Sequence, residues 1–89
     1  MDNKFVVGDI VKSLLGHDQN NIFIVTGIDK NGFLFIIDGK YRLRGNPKKK
    51  NQKHLIKIGH DDSILEKVNL NITTDTEIYN MLKVYKIKE

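Results

Sequence analysis

Short apolar runs separated by turn residues fill the first two thirds of the chain. Residues 6–15 form a candidate strand with a weak break at Gly8-Asp9. Residues 22–25 are apolar and β-branched at three of four positions, and residues 33–37 form a second apolar run. Short runs rich in β-branched and aromatic side chains are typical of buried strands. We therefore predict strands at these three segments.

Turn residues connect these segments and predict further strands. Asn31-Gly32 tolerates the positive φ that hairpin turns require, so a tight turn is expected there. Asp38-Gly39 marks a second turn, after which residues 40–44 are predicted as the third strand of a meander. Residues 48–53 contain no apolar side chain and are predicted as an exposed loop, and residues 54–58 restore the strand pattern.

The last third of the chain has a helical pattern. Asp61, Asp62 or Ser63 is positioned to cap a short helix. Thr74 and Glu77 have the spacing of a capping box, which predicts the start of a second helix. That helix presents an apolar face, and its C-terminal lysines favour the helix dipole. The apolar face consists of Ile78, Met81, Leu82 and Tyr85, and the lysines are Lys83, Lys86 and Lys88.

Five short strands followed by a helical tail predict a mainly β protein. We expect a small β-barrel of about five strands in residues 1–60. A helical C-terminal extension, residues 61–89, is expected to pack on it within a single structural domain, since 89 residues are too few for two ordinary domains. The chain has no cysteine and no apolar run that could span a bilayer, and residues 1–4 lack the features of a signal peptide. A cytoplasmic location is therefore expected.

Basic residues are concentrated in one part of the sequence. The formal net charge is +4, but 13 Lys, 12 Ile and no Ala is also a composition that an A/T-rich genome would give. The distribution is more informative. Residues 39–60 contain eight basic residues and no acidic one, whereas the rest of the chain has seven basic and eleven acidic residues. If folding gathers these cations along one edge of the sheet, they favour a phosphate-bearing partner.

The opening strand resembles a KOW motif. That family alternates polar and apolar residues along a strand and ends the segment in a glycine, which corresponds to Gly16 at the end of residues 6–16. A sharp turn beside a nucleic acid needs the conformational freedom of glycine at this point. His17-Asp18 fits the polar turn that follows. The motif usually has a further glycine a few residues on. This chain has Gln19-Asn20-Asn21 instead, and Asn can adopt the left-handed conformation.

A second, more specific resemblance lies in the basic region. Asp38-Gly39, the Pro-Lys-Lys-Lys-Asn run at 47–51 and His54-Leu55 are similar to short bacterial KOW-domain proteins that bind RNA. The same layout occurs more loosely in archaeal and eukaryotic large-subunit ribosomal proteins that begin with a KOW domain. The resemblance covers residues 5–58 and implies an SH3-like β-barrel that binds RNA, most often on the ribosome.

From the charge pattern and this resemblance together, we predict a non-catalytic RNA-binding protein. It would grip the phosphate backbone, with ribosomal RNA as the expected partner and ribosomal proteins as further candidates, through an arm spanning residues 39–57. No cofactor is implied, and the free protein is expected to be a monomer. The predicted RNA-binding residues are Gly16, His17, Lys40, Arg42, Arg44, Lys48, Lys49, Lys50, Lys53 and His54.

Each of these side chains also has a structural alternative. The lysines of residues 48–53 can form a solvated loop that keeps the protein in solution. Arg42 and Arg44, on one face of the predicted strand, suit phosphate contacts but can also be held by acidic neighbours. Tyr41 could stack on a base, although we expect it in the core. Core positions are also expected for Phe23, Phe33 and Phe35.

Other functional classes are less compatible with the sequence. A protein-interaction module is the main alternative, because SH3-like barrels also bind peptides, but it needs an exposed aromatic groove and the chain has no Trp. Attachment to anionic membranes would be favoured by apolar residues among the lysines, which residues 48–53 lack. His17, His54 and His60 do not have the spacing of a zinc site, and Asp61-Asp62 lacks partners for a hydrolase.

Overall fold

The computed structural model describes residues 5–87, which form five strands and two helices. The strands are β1 (Asp9–Ser13), β2 (Ile22–Ile28), β3 (Leu34–Ile37), β4 (Lys48–Lys50) and β5 (Leu55–His60), and the helices are α1 (Asp62–Asn69) and α2 (Asp75–Ile87). All strand pairs are antiparallel, in the order β4-β3-β2-β1-β5. The predicted mainly β class with a helical C-terminal extension is confirmed and is consistent with a small SH3-like fold. Lys88 and the segment 1–4 lie outside the described residues.

The sheet buries apolar side chains on both faces. Neighbouring residues of a strand, such as Phe23 and Ile24, point to opposite sides and enter different cores. The first core consists of Phe5, Val11, Phe23, Val25, Leu34, Ile36 and Leu55. The second core consists of Ile10, Ile22, Ile24, Ile37, Ile64, Ile78 and Leu82. Because Ile64 of α1 and Ile78 of α2 belong to the second core, both helices cover one face of the sheet.

The predicted turns form through the residues that the sequence indicated. Gly32 takes φ +86°, and the Asp29 carboxylate accepts hydrogen bonds from the backbone N–H groups of Asn31 and Phe33, each at 2.9 Å. In the turn after β1, Asn20 adopts the left-handed conformation with φ +71°. Asn is one of the few residues other than glycine that can adopt this conformation.

Side-chain caps begin both helices. Among the three candidates, Asp61 caps α1, accepting from the backbone N–H groups of Ser63 and Ile64 at 3.1 Å. The capping box of α2 is confirmed, because the Glu77 N–H donates to Thr74 Oγ1 at 3.1 Å and the Thr74 N–H donates to Glu77 Oε1 at 2.8 Å. These contacts satisfy backbone donors that have no partner within the helix.

Two predictions about the basic region are wrong. Residues 40–44 do not form a strand but belong to an irregular loop, residues 38–47. Lysines 48–50 are not an exposed loop. They form the edge strand β4, paired with β3, and a 3-10 turn, Gln52–His54, follows. An all-lysine strand is stable here because its backbone completes the ladder of β3 and each lysine contacts a carboxylate, Asp18 or Asp29.

The predicted burial of the phenylalanines is correct for only one of the three. Phe23 is buried, whereas Phe33 and Phe35 are half-buried. The alternate residues of the same segment, Leu34 and Ile36 of β3, are the ones whose side chains enter the first core.

Candidate functional site

Asp18, in the turn after β1, binds two of the lysines of β4. Lys48 Nζ lies 2.7 Å from Asp18 Oδ2, and Lys50 Nζ lies 2.8 Å from Oδ1. Lys50 also donates to the Leu15 carbonyl oxygen at 3.1 Å, and Ser13 Oγ donates to Asp18 Oδ1 at 2.7 Å. Burial alone would raise the pKa of Asp18, but hydrogen bonds from the two ammonium groups and Ser13 hold it well below its usual range. Lys50, only 8% exposed, is therefore a structural cation.

Two further lysines of the predicted arm pair with carboxylates. Lys49 Nζ lies 3.1 Å from Asp29 Oδ2 and also sits 4.9 Å from the centre of the Phe33 ring. Lys57 Nζ lies 3.2 Å from Oδ1 of the buried Asp9. Both lysines are about half exposed, so these pairs are partly screened by solvent.

Arg44 ties the 38–47 loop to the beginning of α2. Its backbone N–H donates to Asp75 Oδ1 at 2.8 Å, and its Nε lies 3.5 Å from the same oxygen. Its Nη1 donates to Asn71 Oδ1 at 2.6 Å. The guanidinium group thus makes one hydrogen bond, to Asn71, and a longer ion-pair contact with Asp75, while its buried Nε has no hydrogen-bond partner among the described residues. Together with the backbone bond to Asp75, these contacts attach the loop to the helical part of the chain.

The cations of residues 39–60 therefore do not form one free edge, contrary to the prediction. Five of the eight contact carboxylates from distant parts of the chain. They are Arg44, Lys48, Lys49, Lys50 and Lys57. The segment is free of acidic residues in sequence, but folding brings acidic residues of the β1–β2 and β2–β3 turns, of β1 and of α2 against it.

The 38–47 loop is shaped by a buried carboxylate. Asp38 Oδ1 accepts hydrogen bonds from the backbone N–H groups of three successive residues, at 2.8 to 2.9 Å. These residues are Lys40, Tyr41 and Arg42. The backbone of this segment is turned towards Asp38, which fixes the positions from which the three side chains extend.

Gly39 sets how closely this loop approaches α2. It takes φ +80°, a conformation that strongly favours glycine. A Cβ atom at this position would overlap the carbonyl oxygen of Asp75 and lie 2.8 Å from the backbone nitrogen of Tyr79. The loop and the first turns of α2 are therefore in direct backbone contact.

Tyr41 stands exposed between two clefts. Its side chain is 69% exposed, so the expectation that it packs in the core is wrong. The smaller cleft, about 200 Å³, is lined by Asn21, Ile22, Asp38, Lys40, Tyr41, Tyr79, Leu82, Lys83 and Lys86. The larger cleft, about 480 Å³, is lined by His17, Asp18, Asn21, Phe23, Tyr41, Arg42 and Lys48. Because Asn21 and Tyr41 line both clefts, the two form one continuous surface.

Cations surround the tyrosines of the smaller cleft. Lys40 Nζ lies 5.1 Å from the centre of the Tyr41 ring and 5.3 Å from that of Tyr79, and Lys83 Nζ lies 4.6 Å from the Tyr79 ring. Contact with the Tyr41 side chain raises the pKa of Lys40. Cation–π contacts of this kind hold the ammonium groups near the aromatic faces.

The cations of these clefts differ from those of β4 in having no acidic partner. Within the part of the chain that the structure describes, no carboxylate is in ion-pair contact with the four cationic side chains Lys40, Arg42, Lys83 and Lys86. The two acidic residues that line the clefts, Asp38 and Asp18, are engaged by backbone N–H groups and by two lysines respectively.

Of the four remaining residues predicted to bind RNA, only His17 lines one of the described clefts. Gly16 takes φ +93° in the turn after β1, and His17, which lines the larger cleft, is exposed. Lys53 and His54 lie on the 3-10 turn, and the His54 carbonyl oxygen accepts a hydrogen bond from the Leu14 N–H. Neither Lys53 nor His54 lines the described clefts.

The α2 side of the site was not predicted from the sequence. Tyr79, Lys83 and Lys86 lie at positions i, i+4 and i+7 of the helix and therefore share one face. This spacing is a signal that the sequence contains, although the helix dipole alone also accounts for lysines in the last turns of a helix.

A histidine and two carboxylates form a separate cluster at the end of β5. His60 Nδ1 lies 2.7 Å from Asp9 Oδ1, and Nε2 lies 2.6 Å from Asp62 Oδ1. Hydrogen bonds to Asp9 and then Asp62 raise the pKa of His60. Across residues 5–87, no group of three or more His, Cys, Asp or Glu side chains is arranged to hold a metal ion. Neither described helix combines the length and apolar character needed to cross a bilayer.

Comparison with known proteins adds no family to this description. No protein-family model matches the chain, and no curated protein matches it significantly.

Proposed function

We propose that this is a non-catalytic RNA-binding protein whose contact surface is the 38–47 loop together with the exposed face of α2. The observation that carries the proposal is the set of four cations without acidic partners around the exposed Tyr41. Cationic side chains that are not already neutralised can displace the counterions of a phosphate backbone, which is the main source of affinity for nucleic acids.

The surface proposed here is not the arm predicted from the sequence. Lys40 and Arg42 belong to both, but the lysines of β4 contribute less because they are bound to carboxylates. Lys48, Lys50 and Asp18 still carry a net charge of +1 as a group, and Lys48 lines the larger cleft. The resemblance to KOW-domain proteins favours RNA over DNA, the ribosome as the setting and the cytoplasm as the location.

A protein-interaction module remains a second candidate because of one observation. The sequence offered no evident aromatic groove, yet Tyr41 and Tyr79 both line an open cleft. Its cationic rim would suit an acidic peptide. Binding of an acidic peptide in preference to RNA would support this second function.

The test compares two double variants with the same change in net charge. Lys40→Gln/Arg42→Gln removes two cations without acidic partners, and Lys49→Gln/Lys57→Gln removes two that are paired. The salt dependence of binding to a ribosomal RNA fragment is measured for both and for the wild type. Each lost phosphate contact flattens the slope of log affinity against log salt by about 0.7 to 0.9. We expect the first variant to flatten it by about 1.4 to 1.8, and the second to leave it nearly unchanged.

Two results would contradict the proposal. The first is a wild-type protein that fails to bind the RNA at low salt. The second is an equal loss in both double variants, which would mean that net charge rather than this surface determines binding.

A further inference from the structure

We infer that the smaller cleft, between the 38–47 loop and α2, binds an unpaired nucleobase of single-stranded RNA. This inference rests on the proposed function and assigns one part of the surface a specific ligand group. It goes beyond phosphate contact, because it requires a base to leave its stack and enter the protein.

The size and lining of the cleft fit one planar ring system. Its volume of about 200 Å³ is below the range of roughly 300 to 1,000 Å³ typical of drug-sized ligands. The buried side chains of Ile22 and Leu82 provide apolar lining, and Tyr41 and Tyr79 provide aromatic rings. The side-chain amide of Asn21, which also lines the cleft, has both donors and acceptors, as the hydrogen-bonding groups of a base require.

Both tyrosines are held on well-fixed backbone, which reduces the entropic cost of ordering them around a ligand. The Tyr41 N–H donates to Asp38 Oδ1 at 2.9 Å. The backbone nitrogen of Tyr79 lies against Gly39, where no side chain would fit. An aromatic ring that is exposed and yet attached to an ordered backbone can act as a stacking platform.

The surrounding charges indicate a path for the strand. Lys83 and Lys86 line the smaller cleft from the α2 side, and Arg42 lines the larger cleft on the other side of Tyr41. A base in the smaller cleft would therefore have cations near the phosphates on both sides. A base paired within a duplex cannot enter the cleft, so the site selects single-stranded segments or loops.

The experiment measures how Tyr41→Ala and Tyr41→Phe bind two probes, a short uridine oligonucleotide and an RNA duplex of equal charge. Because Tyr41 is 69% exposed, neither variant should impair folding, which urea denaturation verifies. Loss of one stacked base should weaken oligonucleotide binding by Tyr41→Ala roughly 5- to 160-fold. Duplex binding and the salt slope should stay unchanged. Tyr41→Phe keeps the ring and should bind the oligonucleotide within about two-fold of the wild type.

Tyrosine fluorescence provides a second readout, since the chain has three Tyr and no Trp. The oligonucleotide should quench this fluorescence in the wild type, and the quenching should decrease in Tyr41→Ala. Wild-type oligonucleotide affinity in Tyr41→Ala, or an equal loss for the duplex, would overturn the inference.

The outcomes separate this inference from the proposed function. If the wild type binds RNA with the expected salt slope but Tyr41→Ala binds the oligonucleotide equally well, the base site is wrong and RNA binding stands. If the wild type binds neither probe at low salt, the proposed function is wrong. Displacement of the oligonucleotide by an acidic peptide at lower concentration would overturn the base site in favour of a peptide groove.

Discussion

The two cationic regions of the molecule differ in what their charges face. Strands β4 and β5 contribute Lys48, Lys49, Lys50 and Lys57, all of which contact carboxylates. In the 38–47 loop and α2, Arg44 pairs with Asp75, but the other four described cations of the clefts, Lys40, Arg42, Lys83 and Lys86, have no acidic partner within the described residues. The first region has the higher density of lysine in sequence, but the second has more charge available to a ligand. A run of like charges in a sequence therefore does not by itself define a charged surface.

The largest effect should come from removing the carboxylate that holds β4. Asp18→Ala leaves the ammonium group of Lys50, 8% exposed, without its acidic partner. Breaking a buried pair in this way costs about 3 to 5 kcal/mol, which is a large part of the stability of a small domain. Urea denaturation should show a decrease in the free energy of unfolding of this order.

Glu66→Gln is the matched control for Asp18→Ala, because Glu66 is an exposed acid on α1. Its effect should remain within about 0.5 kcal/mol. If Asp18→Ala were equally harmless, the lysines of β4 would not be structural cations, and the contrast between the two regions would fail.

A smaller effect on stability, but a specific one on binding, is expected for Gly39→Ala. A non-glycine residue at φ +80° costs about 1 to 2 kcal/mol, and the added Cβ would overlap the backbone of α2. The loop must then move away from α2, so the smaller cleft opens. Binding of single-stranded RNA should weaken although the net charge is unchanged.

Gly45→Ala is the control within the same loop, since a Cβ at Gly45 would meet open space. It should bind RNA like the wild type. If Gly39→Ala bound single-stranded RNA as tightly as the wild type, the contact between the loop and α2 would not be needed for the site.

The smallest effect concerns the pH dependence of the paired region. The folded pKa of His60 is raised by Asp9 and Asp62, so its contribution to stability is full below the unfolded value of about 6.5. That contribution is lost as the pH rises through the higher folded pKa. Asp9 has the opposite dependence. Burial alone would raise its pKa, but hydrogen bonds from the Val6 N–H, His60 and Lys57 lower it, so its contribution is lost on acidification below about pH 4.

The cluster should therefore stabilise the protein most between about pH 4.5 and 6. Because about a third of the His60 side chain is exposed, solvent weakens the effect. Thermal denaturation of the wild type and His60→Gln should show a stability difference that shrinks above about pH 6.5. A difference that grows with pH would contradict the assigned pairing.

Local chemistry made part of this fold predictable. The turn at Gly32, the capping box of Thr74 and Glu77 and the apolar runs of β2 and β3 each depend on residues close together in sequence. The ion pairs of the lysines, in contrast, join residues that are far apart in sequence. Lys48 and Asp18 are 30 residues apart, and nothing in the local pattern shows that they meet.

The exposure of Tyr41 could not be predicted for a related reason. Residues 40–44 have the alternation of a strand, in which Tyr41 would face the core. Instead, the Asp38 carboxylate accepts hydrogen bonds from three consecutive backbone N–H groups, and the chain forms a loop. A side chain that competes with the strand ladder for backbone donors changes the structure without changing the apolar pattern.

The most direct test of the account is a map of amide chemical shifts in the uniformly ¹⁵N-labelled protein during titration with a short uridine oligonucleotide at low salt. We expect the largest changes in the 38–47 loop and on α2 around Tyr79 and Lys83, with small changes across β4 and β5. Large changes confined to β4 and β5, with the loop and α2 unaffected, would contradict the central claim that the cations without acidic partners form the binding surface.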